Sequence, residues 1–194
     1  MSTGRCVCKF ALLLLFLTAL ASLLFWLIFL PREVKFHVTE ASLTQFDFTT
    51  ANNTLNFNLT LKINLRNSNQ RVGVFYERID AIAYYNKKKW FCTVGLTPFY
   101  QGHKNSSILR PVFQGHQFLL LGARDLSKLD SEKSSGIYSI TINLSVQIRV
   151  RYGKIKTISY EPRKIKCSLK VPLITNGTTA QEFMLTECNQ VNFF

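Results

Sequence analysis

The stretch Phe99-Tyr100-Gln101-Gly102-His103-Lys104-Asn105-Ser106-Ser107 contains the residue types from which chemistry is most often built. A histidine and a lysine follow a glycine bend, and Asn105-Ser106-Ser107 is an N-glycosylation acceptor. A catalytic histidine needs a positioned nucleophile or carboxylate beside it. The chain has 3 histidines, His37, His103 and His116, scattered and without metal-ligand spacing. No Gly-x-Ser-x-Gly elbow, His-Glu-x-x-His or Cys-x-x-Cys occurs. Cys92 could imitate a thiol–imidazole pair with His103 or His116. It lies, however, in the apolar strand pattern KWFCTVGL, where a thiolate is disfavoured. The expectation is therefore no catalytic residue, no cofactor and no metal, in a protein that is not an enzyme. The stretch itself reads as an exposed connection, bent at Gly102 and bearing a glycan at Asn105.

Charge is the second candidate chemistry. The formal net charge is +13, and all 11 acids and all but Arg5 and Lys9 of the 24 lysines and arginines follow residue 30. Strand alternation puts Arg149 and Arg151 on one face, and Lys164, Lys166 and Lys170 on one face of another strand. If those strands are neighbours, the five residues form a continuous positive sheet face. Such a face is either a solvated surface whose like charges discourage edge pairing or an attractor for a polyanion. Outside the cell the second reading points to acidic wall polysaccharide or anionic lipid headgroups, and not to nucleic acid.

The cysteines divide into two groups. Cys6 and Cys8 lie close before the apolar run, where S-acylation is physically easy, and idle reduced thiols are the equal alternative. Cys92, Cys167 and Cys188 permit one bridge and leave one thiol over. Cys167–Cys188 is the favoured pair, tying the final segment QEFMLTECNQ to the strand KCSLKVPL. Cys92 is then a free, buried thiol, and a pairing that uses Cys92 stays open.

These groups must be positioned by something, and the first element is unmistakable. Residues 10–30 carry no charge, with Thr18 and Ser22 as the polar groups. As a helix this run is roughly 32 Å long, matching a hydrocarbon core of about 30 Å. Ala19-Leu20-Ala21 resembles a signal-peptidase site, but cleavage there would leave LLFWLIFL as a new terminus. An uncleaved signal anchor is the better reading, with Trp26 suited to the far interface. The expected organisation is a cytosolic tail at 1–9, a transmembrane anchor at 10–30 and an extracellular domain at 31–194. Acceptor tripeptides at Asn52, Asn58, Asn105, Asn143 and Asn176 all follow the span, which places that domain on the lumenal side.

The rest of the chain reads as strands. Leu55, Phe57, Leu59, Leu61, Ile63 and Leu65 alternate with polar residues, as do Ile140, Ile142, Leu144, Val146, Ile148 and Val150. Asn58 and Asn143 fall on the polar faces. Further strands are expected at VKFHVTEASLTQFDF, VGVFYERIDAIAYYN, KWFCTVGL, QFLLLG and KIKCSLKVPL, with ARDLSKLDSEK as a short helix or irregular excursion. Seven or so strands of this kind imply two packed sheets, an all-β sandwich behind one N-terminal transmembrane helix.

A short basic cysteine-bearing tail, an early span, IDAIAYYN, FYQGHKN, a long alternating strand, KCSLKVPL and a terminal EFMLTEC form an ordered series. That series resembles the plant harpin-induced and non-race-specific disease resistance-like membrane proteins. These belong to the late-embryogenesis-abundant group with the water-stress and hypersensitive-response domain. The resemblance implies an immunoglobulin-like or fibronectin-III-like β-sandwich outside the plasma membrane, in a type II single-pass protein acting in defence or stress responses. A plasmodesmal location and self-association are left open by it. One departure is visible. The family's Asn-Pro-Asn turn is Asn67-Ser68-Asn69 here, which questions the rigidity of the turn and not the fold. Two functions follow as expectations. The first is a glycosylated adhesion or signalling component that contacts the wall or a membrane protein partner. The alternative is a module that binds lipid or a hydrophobic ligand between its sheets.

Overall fold

The computed structural model describes residues 2–29, 32–153, 155–174 and 183–189. A single helix, α1 (Ser2–Phe29), takes in both the apolar run and the residues read as a tail. Its segment Lys9–Leu27 is long and apolar enough to cross a membrane, and none of it is buried against the rest of the chain. The side chains of Cys6 and Cys8 lie outside the described part, as do Asn176 and Lys154.

The remainder forms two antiparallel sheets. β1 (Lys35–Thr49) and β2 (Thr54–Arg66) pair along almost their whole lengths, from Lys35 opposite Arg66 to Thr49 opposite Thr54. Asn53, with φ 53°, makes the turn between them. The far side of β2 is shared by β6 (Ser106–Leu109) and β7 (Val112–Phe118), while β11 (Thr186–Glu187) adds to the outer edge of β1. The second sheet centres on β3 (Val72–Tyr85) and β8 (Ile137–Tyr152). β4 (Lys89–Leu96) and β5 (Phe99–Gln101) divide the free side of β3, and β9 (Ile155–Ser159) and β10 (Arg163–Pro172) divide that of β8.

The two-residue period predicts the core correctly. All six apolar positions from Leu55 to Leu65, and all six from Ile140 to Val150, are buried between the sheets. Phe46 fills the middle of one end, its ring 4.8 Å from Tyr138 and 5.5 Å from Tyr85, with Phe91 wedged between Phe46 and Phe57. α2 (Ala123–Ser135) covers that end and stops at Gly136, which takes the left-handed conformation that favours glycine. Tyr85 donates from its hydroxyl to Glu132 at 2.8 Å and so docks the helix. Burial, and then this bond to a carboxylate, push the Tyr85 hydroxyl pKa upward.

Two expectations shift. The strand expected at QFLLLG is instead Val112–Phe118. Phe118 lies opposite Thr54, the first residue of β2, so Leu119–Leu121 have no strand left to pair with. Eleven strands occur among the described residues rather than seven, the added ones being short. Cys167 and Cys188 form a disulfide with Cα atoms 4.3 Å apart. Around it, Cys188 N donates to Phe36 O in one sheet and Asn189 N to Lys166 O in the other. The last described segment therefore closes the β1–β10 flank of the sandwich.

Candidate functional site

At the end of the sandwich where the chain enters, Asn67 and Asn69 join three segments: the entry at Arg32, the turn 66–72 and the turn 101–106. Asn67 is wholly buried, and its Nδ2 donates to Val72 O at 2.9 Å and Gly102 O at 3.0 Å. Its Oδ1 accepts from Asn69 N and Nδ2 at 3.0 and 2.8 Å. Asn69 then holds Arg32 from both sides, accepting from its N–H at 2.5 Å and donating to its carbonyl at 2.7 Å. Gln101 completes the network: it is fully buried, donates to Leu65 O at 2.9 Å and accepts the Tyr76 hydroxyl at 3.0 Å. The rigidity that a proline between the two asparagines would supply comes here from side-chain hydrogen bonds.

This network takes in part of the first stretch. Gln101 and Gly102 are structural, Lys104 turns the chain at φ 50°, and His103 and Asn105 face solvent. The three histidines do not meet. His37 lies 3.7 Å from Glu187 on the β1 edge, while His103 and His116 are exposed in separate elements. Among the described residues no cluster of three or more histidine, cysteine or acidic side chains could hold a metal ion. Cys92 is free and half-buried rather than buried. A bulge in β4 turns both Phe91 and Cys92 toward the core, and burial raises the thiol pKa.

A groove of about 670 Å³ opens at the same end, lined by Arg71, Gly73, Tyr100, Gly102, His103 and Arg151. Its floor depends on a glycine. A Cβ on Gly73 would stand 2.2 Å from the Tyr100 hydroxyl oxygen, so the tyrosine lies flat on the sheet only because position 73 has no side chain. Phe75 packs on Tyr100 at 4.4 Å, and the Arg151 guanidinium sits 5.9 Å from the same ring centroid. A smaller adjoining hollow of about 310 Å³ is bordered by Phe75, Pro98, Phe99 and Arg149.

The expected basic face divides. β8 and β10 are neighbours, with Lys164 opposite Ser145, Lys166 opposite Asn143 and Lys170 opposite Ser139, so all five cations share the outer side. Arg149, however, lies four residues along β8 from Ser145, roughly 13 Å at the strand rise. It is also paired with Glu77 at 2.6 Å, and Glu77 takes a further bond from Ser159. The charge thus falls into an edge row (Lys164, Lys166, Lys170) and a groove cluster around Arg151. Of the acceptor asparagines, Asn52 and Asn105 are exposed in turns, whereas Asn58 and Asn143 lie half-buried mid-strand. The Asn143 Oδ1 is buried without a hydrogen-bond partner.

An unburied apolar helix ahead of a two-sheet β-sandwich with a cationic, aromatic groove defines the class. Comparison with known proteins gives the family. NDR1/HIN1-like protein 10 of Arabidopsis thaliana is 46% identical over 173 residues, covering 88% of this chain and 75% of the relative. NDR1/HIN1-like proteins 3 and 2 of the same plant are 40% and 38% identical, covering 89% and 86% of this chain and 74% and 69% of their own lengths. The chain belongs to the NDR1/HIN1-like family. No family model matches it. Among solved structures, one described as a late embryogenesis abundant protein aligns over 70% of this chain and 72% of its own, with TM-score 0.33 and 12% identity. A protein from Archaeoglobus fulgidus aligns over 69% and 98%, with TM-score 0.28 and 11% identity. Neither likeness is close enough to carry weight.

Proposed function

We propose that this chain is a non-enzymatic, membrane-anchored glycoprotein that serves plant defence or stress responses through contacts made outside the cell. The observation that carries the reading is α1. Its Lys9–Leu27 segment has a mean hydropathy of 2.5, and none of that apolar surface packs on the sandwich. Surface of that kind needs a hydrocarbon environment, and a bilayer supplies one. Family membership supports the defence or stress role, and the acceptors at Asn52 and Asn105 stand where a glycan has room.

For the outward contact, the edge row Lys164, Lys166 and Lys170 suits a polyanion such as acidic wall polysaccharide, because three like charges recur along one exposed strand. Reversing the three to glutamate should abolish salt-sensitive binding of the full chain to pectate. No binding by the unmodified chain at low salt would contradict the polysaccharide contact. For the role itself, plants lacking the chain should differ from their parent in pathogen growth or survival of water stress. Full rescue by a version without α1 would contradict the anchored reading. Glycosidase treatment should shift the mature protein's mobility, with Asn52 occupied ahead of Asn143.

A further inference from the structure

The groove and the anchor lie at the same end of the sandwich. Phe29 closes α1, and Arg32 is already clamped by Asn69. Three residues of chain span at most about 11 Å. The Asn69 clamp on Arg32 must therefore sit within about that distance of the helix end, and the other turns lie beside it: Asn67 ties 66–72 to 101–106, and the pairing of Val72 with Tyr152 adds 151–155. These turns (32–35, 66–72, 101–106 and 151–155) carry Arg32, Lys35, Arg66, Arg71, Lys104 and Arg151 among the described residues, against the single acid Glu33. At their tip Ile155 is 72% exposed, an apolar side chain standing beside a cationic groove. The opposite end mixes its charge: the turn with Lys87, Lys88 and Lys89 lies beside an α2 that carries Arg124, Lys128 and Lys133 together with Asp125, Asp130 and Glu132, so three acids offset its cations against one at the anchored end.

We propose that the anchored end is a headgroup-docking surface. In it the Tyr100 groove and its rim of Arg71, His103, Lys104 and Arg151 close on anionic, phosphate-bearing lipid headgroups, and Ile155 enters the interface beside them. The headgroups belong to the leaflet from which α1 emerges, so the inference rests on the anchored reading. The tether favours lipid over polysaccharide, because a wall polymer would have to enter a gap about as wide as the Debye length. Each arginine or lysine held near an anionic surface adds attraction. The exposed isoleucine and the tyrosine ring match the apolar–polar boundary where headgroups meet acyl chains. Docking would hold the sandwich in one orientation, with α2 and its lysine turn pointing away from the membrane.

The test uses the full chain in nanodiscs of phosphatidylcholine, alone or mixed with phosphatidylserine. N-glycans are trimmed first, since one at Asn105 would occupy the same end. An environment-sensitive fluorophore is placed by Ile155→Cys, or by Lys87→Cys at the far end, with Cys6, Cys8 and Cys92 replaced by serine. A lipid-borne quencher reads membrane contact. The label at 155 should be quenched in the anionic nanodiscs and released by high salt, and the label at 87 should not be quenched. The triple change Arg71→Glu, Lys104→Glu and Arg151→Glu should weaken docking on the order of a hundredfold. The salt arm keeps the proposal falsifiable should that variant fail to fold. A chain that does not stay with the nanodisc overturns the anchored reading and this inference together. A chain that stays, but whose label at 155 behaves like that at 87 or ignores both lipid charge and salt, overturns headgroup docking alone. Displacement of the 155 label by soluble polygalacturonate with no response to lipid charge would assign the groove to polysaccharide instead.

Discussion

At the residue scale the molecule depends on a few buried amides. Asn67 serves two carbonyl acceptors and two donors from a position with no access to bulk water. Asn67→Ala should cost about 2–4 kcal/mol in chemical denaturation and loosen the turn at Gly102. A loss below about 0.5 kcal/mol would show that the network is incidental. Cys92 gives a second expectation. Its thiol pKa is raised in the fold, by burial first and foremost. Whatever stability this contributes is fully present below the unfolded thiol's pKa of about 8.5 and is lost as pH climbs through the higher folded value. Alkylation of the folded chain at neutral pH should accordingly be slower than that of a free cysteine, and equal rates would contradict the burial. Asn67 and Gln101 were not legible as buried hubs, because a polar residue at a strand end looks the same in sequence whether it faces water or a carbonyl. Tyr100 was equally hidden: its place on the sheet depends on Gly73, 27 positions earlier.

At the element scale the long strands were legible, and the short ones were not. A thirteen-residue alternation such as Thr54–Arg66 leaves only one face to bury, so period alone fixes it. β5, β6, β9 and β11 have five residues or fewer and are strands only because an edge lies ready for them. QFLLLG misled for the same reason: its apolarity suited a strand, but β2 offers no partner beyond Thr54. The charge pattern was read on the right strands, yet Arg149 turned toward Glu77, a partner on β3 that strand period does not reveal. The Cys167–Cys188 closure makes its own prediction. Replacing both with serine should remove about 3 kcal/mol, mainly by freeing the unfolded chain. It should also raise hydrogen exchange at the amides of positions 188 and 189, which bond to Phe36 in one sheet and Lys166 in the other. Unchanged exchange there would mean that the segment is held by its backbone bonds alone.

At the scale of the whole molecule, a helix whose Lys9–Leu27 segment is not buried against the sandwich and a sandwich with its own core are joined by a short step from Phe29 to Arg32. The apolar surface of α1 demands an environment the sandwich does not supply, and the proposed topology puts the acceptor asparagines on the outer side of a membrane. Both features were visible in the composition. The placement of the groove beside the anchor was not, because it follows from which strand ends come together in three dimensions. The most direct measurement is protease treatment of intact protoplasts expressing the chain with separate tags at each end. The account predicts that the C-terminal tag and the sandwich are digested while the N-terminal tag survives. Survival of the C-terminal tag in cells whose membranes remain sealed would contradict it.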